Sequence, residues 1–212
     1  MPAREMIVGR PVLVVVDFMQ CGHDEDFDFL PLMDGYEEAV GNGVRLVEAA
    51  RKAGIPVVFI LEVHSRTHVD FGRELDGEEG VHALEDDPGT QLVAEMEVQP
   101  DEYLIKKRRY SSFFGTDLEI LLKGLKAETL VLCGGLTDVC VHYTYVDGHQ
   151  HDYFVRVAED AVIGSTEAAH KAALNAMAYL QTGALRSTSA LVAAFAAYQG
   201  PPRPAVKTRE GA

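Results

Sequence analysis

Cys140 follows Gly134-Gly135-Leu136-Thr137-Asp138-Val139, and that stretch follows the apolar run Thr129 to Cys133. A β-branched and aliphatic run that ends in two glycines and passes into a helical pattern predicts a buried strand, a tight turn and a helix N-terminus. The positive end of a helix dipole favours a thiolate, and glycine-permitted backbone can aim N–H groups at an oxygen beside the sulfur. Attack on a carbonyl is the reaction that suits such a thiol. Asp17 ends the apolar run Pro11 to Val16, and Lys107 ends the run beginning at Tyr103, inside the basic stretch Lys106-Lys107-Arg108-Arg109. A carboxylate at the edge of an apolar core can take the thiol proton and hand it to a leaving amine, while a nearby ammonium favours the charged forms. Each residue also has a plainer reading. Asp17 can cap a strand or fill a buried ion pair, Lys107 can be solvated, and Cys140 can be a small core hydrophobe.

The elements that must position these groups alternate along the chain. The pattern predicts strand 11–16, helix 34–53, strand 56–61, a polar stretch with a short helix near 90–96, and strand 103–106. Helix 116–123, strand 129–133, the helix carrying Cys140, strand 153–157, helix 165–180, an edge strand at 183–187 and helix 188–198 follow. Alternation of this kind predicts an α/β fold of three layers, a mostly parallel central sheet flanked by helices on both faces, Rossmann-like in outline. In such sheets ligands collect outside the carboxyl ends of the strands. Asp17, Lys107 and Cys140 each lie just past a different strand, so the fold would gather them at one edge.

With 212 residues the chain suits one domain, expected over 1–200, with Pro201-Pro202-Arg203-Pro204 opening a mobile tail at 201–212. No apolar stretch approaches the roughly 18 to 20 residues of a spanning helix, and the N-terminus lacks the layout of a secretory signal. Three cysteines, an odd number, point to reduced thiols rather than a disulfide framework, and the expected location is cytoplasmic. A net charge of −14 opposes nucleic acid and anionic membrane surfaces as partners. Much of the acid lies between Glu62 and Glu102, which reads as a solvated face and says nothing of substrate charge. Gly41-Asn42-Gly43 lacks the third glycine of a dinucleotide fingerprint, and no Walker-type motif occurs.

Three segments together carry a resemblance: Val14-Val15-Val16-Asp17, the stretch from Lys107 through Tyr110-Ser111-Ser112-Phe113 to Leu118, and Gly135-Leu136-Thr137-Asp138-Val139-Cys140-Val141. In this order the chain resembles the isochorismatase-like cysteine hydrolase superfamily from Pro11 to about Leu180. The resemblance implies a catalytic triad of Asp17, Lys107 and Cys140. Lys107 rather than Lys106 matches, because the family lysine stands three residues before the tyrosine of the Tyr-Ser-x-Phe stretch. A cis peptide between Gly135 and Leu136 is also implied, with the Leu136 and Cys140 N–H groups as oxyanion hole. Some members, nicotinamidases among them, carry an Asp-x-His metal site with a second histidine downstream. The matching positions are Glu62, His64 and His82, with His68 as an alternative ligand, and one carboxylate with two imidazoles suits Zn²⁺ or Fe²⁺. Glu in place of Asp, and the absence of any Trp, argue against nicotinamide.

The implied activity is a cysteine hydrolase that cleaves a C–N bond of a small carboxamide, carbamoyl or ureido substrate through a Cys thioester. That chemistry requires no cofactor, and the divalent metal, Zn²⁺ or Fe²⁺, is an addition that the resemblance to some members implies. Two alternatives stand beside it: vinyl ether hydrolysis, which needs Asp17 but no thiol, and a non-catalytic partner-binding or thiol-sensing member. Phe18, Tyr110 and Phe113 flank the triad positions and are expected to wall the substrate pocket. Cys133 reads as core. The apolar content of 165–180 and 190–198 predicts a homo-oligomer.

Overall fold

The computed structural model describes residues 5–23 and 31–200; the expected tail at 201–212 lies outside the described residues. Six strands form one all-parallel sheet: β1 (Pro11–Val16), β2 (Val57–Glu62), β3 (Tyr103–Lys107), β4 (Thr129–Gly135), β5 (Phe154–Ile163) and β6 (Leu185–Arg186). The helices are α1 (Tyr36–Lys52), α2 (Leu118–Leu125), α3 (His142–Gln150), α4 (Glu167–Leu180) and α5 (Thr188–Ala197). The three-layer α/β expectation holds.

Why the sheet has two covered faces is visible in β1, where all six residues are buried. Leu13 and Val15 join Val57, Phe59 and Val131 in a core that α1 and α5 cover, while Val12, Val14 and Val16 join Val58, Ile60 and Leu130 beneath α2, α3 and α4. Side chains two apart share a face, so a continuous apolar run feeds both cores at once. At about 1.5 to 3 kcal/mol for each fully buried aliphatic side chain, β1 is the strand the fold can least spare.

The strand order β3-β2-β1-β4-β5-β6 reverses direction between β1 and β4. At that point the connections leave to opposite sides and open a crevice beyond the carboxyl ends. Gly134, with φ +126°, sits where a Cβ would lie 1.8 Å from the Val16 carbonyl oxygen, so the two central strands can run together only with glycine there.

Two expectations need adjustment. β5 runs to Ile163 rather than 157, because the exposed pair Glu159–Asp160 interrupts the apolar run without ending the strand, and the pairing with β4 shifts between Leu132 and Gly134. Asp160 instead anchors α5, accepting the Thr188 N–H and hydroxyl at 2.7 Å each. The helix near 90–96 is a single short turn, Ala94–Met96.

Candidate active site

Register brings the site together. Asp17 leaves β1 with φ +49°, a left-handed conformation that Asp tolerates, and its Oδ1 accepts the Glu62 N–H at 2.7 Å. Glu62 and Lys107 are Cα partners at the ends of β2 and β3. β3 is an edge strand whose other residues are partly or fully exposed, but Lys107 is 0% exposed. Alternation across the strand turns Lys106 to solvent and Lys107 inward, which is the physical reason for preferring the latter.

Cys140 lies in a π-helical turn, Thr137–Val141, in which the Val141 N–H donates to the Leu136 carbonyl at 3.1 Å. Asp138 fastens this turn to the end of β5, accepting the Ser165 N–H at 2.8 Å and its hydroxyl at 2.6 Å. The Gly135–Leu136 peptide is cis, as the resemblance implies. The loop after Lys107 is lashed to α3: the Ser112 N–H donates to Thr144 Oγ1 at 2.9 Å, and the Ser111 hydroxyl donates to Asp147 Oδ2 at 2.5 Å.

Asp17, Lys107 and Cys140 meet. Lys107 Nζ is 2.9 Å from Asp17 Oδ2, an ion-pair contact at a poor angle for a hydrogen bond, and it donates to Cys140 Sγ at 3.3 Å. It also contacts Glu62 Oε2, to which the Cys140 thiol donates at 3.5 Å. One ammonium thus serves two carboxylates and a thiol. Burial disfavours charge on Lys107, but Asp17, Cys140 and Glu62 outweigh it and hold the ammonium well above its ordinary range. Burial likewise works against Glu62, and Lys107 with hydrogen bonds from His64 and His82 overcomes it, leaving this carboxylate well below its usual value. Asp17 is pushed up, chiefly by burial, with Lys107 opposing; Cys140 is pushed well up by burial, with Lys107 again opposing. Glu62 is therefore held as a carboxylate, the thiol keeps its proton, and Asp17 has the raised proton affinity that suits a base.

Glu62 also faces a second cluster. Its Oε1 lies 2.8 Å from His82 Nε2 and 3.3 Å from His64 Nε2, and Glu74 Oε2 lies 3.2 Å from His64 Nε2. Ligand atoms of Glu62, His64, Glu74 and His82 all fall within 4.8 Å of one another, and all four residues are buried. His82 Nδ1 bonds the Gly80 carbonyl at 2.7 Å, and His64 Nδ1 is 3.7 Å from Asp70 Oδ1. Phe71 stacks on the His64 ring at 3.9 Å. His68 is exposed and outside this cluster, so of the two candidate histidines His82 is the one brought in. Glu74 was not singled out in the sequence, since nothing in an acid-rich stretch distinguishes it from its exposed neighbours.

The crevice beside Cys140 encloses about 680 Å³, its open mouth included, and Asp17, Glu62, His82, Tyr110, Leu136 and Cys140 are on its wall. Tyr110 lies where expected. Phe18 and Phe113 do not line it, and the expectation for both is corrected. Phe18 is 0% exposed in the core against Tyr36, and Phe113 packs against His151 and Tyr153. Cys21 lines the crevice, and Cys133 is buried in β4.

Residues 11–190 match the isochorismatase domain family. The chain belongs to the isochorismatase family. A ureidoacrylate amidohydrolase of Pantoea ananatis is 32% identical over 186 residues, covering 78% of this chain and 74% of that protein. Among solved structures, N-carbamoylsarcosine amidase from Thermoplasma acidophilum superposes with a TM-score of 0.71 at 25% identity, covering 84% of this chain and 96% of that one. The pyrazinamidase of Pyrococcus horikoshii, in complex with zinc, does so with a TM-score of 0.72 at 26% identity, covering 84% and 98%. No helix among the described residues is long and apolar enough to cross a membrane.

Proposed function

We propose that this isochorismatase-family chain is an amidohydrolase that cleaves the C–N bond of a small carboxamide, carbamoyl or ureido substrate, with Cys140 as nucleophile. The observation that carries the reading is Lys107 Nζ at 2.9 Å from Asp17 and 3.3 Å from Cys140 Sγ on the wall of a crevice. Asp17 takes the thiol proton as the sulfur attacks the carbonyl carbon and the S–C bond forms. Lys107 stabilises the charge while it moves between sulfur and carboxylate. The Leu136 and Cys140 N–H groups receive the oxyanion. Asp17 then protonates the leaving nitrogen, the C–N bond breaks, and a thioester remains. Water, losing its proton to Asp17, adds to the thioester, the S–C bond breaks to release the acid, and the Asp17 proton returns to the sulfur.

Glu62, His64, Glu74 and His82 fit a divalent cation such as Zn²⁺ or Fe²⁺. Both Glu74 carboxylate oxygens are buried without a hydrogen bond, and the His82 Nδ1 bond to the Gly80 carbonyl leaves Nε2 facing Glu62, where a metal would replace the proton of that contact. Bound there, the metal would supply a Lewis acid on the crevice wall.

The test is ammonia release from a panel of simple carboxamides and ureas. Cys140→Ala should lower turnover at least about 10⁴-fold, whereas Cys133→Ala should retain it. Turnover that survives in Cys140→Ala refutes the nucleophile assignment.

A further inference from the structure

The crevice has an uneven distribution of charge. Of its lining residues, Asp17, Glu62 and Glu79 bear carboxylates and none is a lysine or arginine. The nearby cationic groups are already paired, Lys107 with Asp17 and Glu62, and the lining imidazole of His82 with Glu62 at 2.8 Å, which leaves Glu79. Lys107 is fully buried among Asp17, Glu62 and Cys140. Arg108 is held by the Val63 carbonyl, by Asp70 at 3.0 Å and by Glu85 at 3.1 Å, and Arg109 by the Asp70 and Arg108 carbonyls.

Glu79 is half-buried on this wall, and Oε2 accepts the Tyr110 hydroxyl at 3.2 Å. Among the described residues that hydroxyl is its hydrogen-bond partner, and no lysine or arginine pairs with it. Burial raises its proton affinity, with the His82 imidazole opposing. A ligand that brings an ammonium to this wall regains a charge-assisted hydrogen bond, whereas a ligand carboxylate meets like charge.

We propose that Glu79, oriented by Tyr110, selects substrates whose carboxamide or ureido group is joined to a cationic amine, and rejects those joined to a carboxylate. This inference rests on the amidohydrolase reading for the word substrate, and on the crevice alone for the charge preference. It separates this chain from the relative named for ureidoacrylate, itself a carboxylate.

Three ureas of matched size test it: (2-aminoethyl)urea, propylurea and 3-ureidopropanoate, titrated calorimetrically into the Cys140→Ala protein. The expected order is ammonium over neutral over carboxylate, with the first step roughly 10- to 100-fold. Glu79→Gln should bring the ammonium-to-neutral ratio to within about threefold, while Glu78→Gln, at the exposed neighbour, should leave it unchanged. A carboxylate that binds as well as the amine, a ratio that survives Glu79→Gln, or no detectable binding of any of the three overturns the proposal. Ammonia release from the same ureas by the unmodified protein is scored separately. Turnover without charge preference sinks the Glu79 assignment and keeps the amidohydrolase; charge-selective binding without turnover does the reverse.

Discussion

Replacing Lys107 with Met keeps an unbranched side chain of similar reach and removes the one cation of the cluster. Burial, Glu62 and Asp17 all disfavour the Cys140 thiolate, and Lys107 is the group that opposes them. An ammonium 3.3 Å from the sulfur is worth roughly 5 kcal/mol to the thiolate at an effective dielectric constant of about 20. That would be more than about 10³-fold in thiolate population at about 1.4 kcal/mol per decade. Protonation of the stranded carboxylates returns part of it, so Lys107→Met should react with iodoacetamide at Cys140 at least about 100-fold more slowly. The same change leaves Asp17 and Glu62 buried without a cation, which costs about 3 to 5 kcal/mol of stability. For a chain of this size that is a melting temperature lower by roughly 6 to 20 °C. Should the single variant fail to fold, Lys107→Met in the Glu62→Gln background removes one stranded charge, and its alkylation is compared with that of Glu62→Gln alone. Lys106→Met is the control, since its side chain leaves the opposite face of β3. Equal alkylation of the Lys106 and Lys107 variants, site-mapped to Cys140, refutes the reasoning.

Other expectations follow from the same geometry. Gly134→Ala drives a Cβ into the Val16 carbonyl and should cost about 3 kcal/mol or more, whereas Gly54→Ala, at φ +67° with nothing within 4 Å, should cost about 1 kcal/mol; thermal melts compare them. Zn²⁺ added to chelator-treated protein should raise the melting temperature, by an amount lost in His64→Ala and Glu74→Gln but kept in His68→Ala. A shift that survives in the first two rejects the ligand set. Asp160→Ala breaks two hydrogen bonds at the start of α5 and should lose about 2 kcal/mol without changing Cys140 reactivity; unchanged denaturant unfolding would count against the anchor.

How far these features could be read before folding depended on whether each signal was local. β1, β2 and β4 were legible because a strand covered on both faces must be continuously apolar. The positions of Asp17 and Cys140 followed from where those runs stop. Phe18 and Phe113 misled because sequence adjacency to a catalytic position does not say which face a ring takes: Phe18 follows a left-handed residue and turns under the sheet. Glu74 and Glu79 stayed hidden in a stretch whose composition is that of a solvated surface. Glu74 is 5% exposed while Asp76 and Glu78 beside it are open to water, and only the path of the loop over His64 separates them. Nothing local in the sequence separates His68 from His82 for the same reason, since both lie in this loop.

Glu62 stands where the resemblance expects Asp, and its extra methylene has a consequence for reach. One oxygen faces His64 and His82 and the other faces Lys107 and Cys140, so a single carboxylate joins the imidazole cluster to the thiol. An Asp would end one methylene, about 1.5 Å, short of this span, and could serve one cluster only. The two oxygens have opposite consequences when the charge is removed. Glu62→Gln takes a negative charge from 3.5 Å of the sulfur and frees Lys107 of one of its two carboxylates, so the thiolate gains and alkylation of Cys140 should accelerate about tenfold or more. The same variant replaces a ligand carboxylate by a weak amide donor, so the Zn²⁺-dependent rise in melting temperature should disappear. Lys107→Met should slow the alkylation that Glu62→Gln speeds, and that opposition identifies charge rather than loosened packing as the cause. If Glu62→Gln alkylates no faster than the unmodified chain and still gains stability from Zn²⁺, the two clusters are independent and the bridging role is wrong.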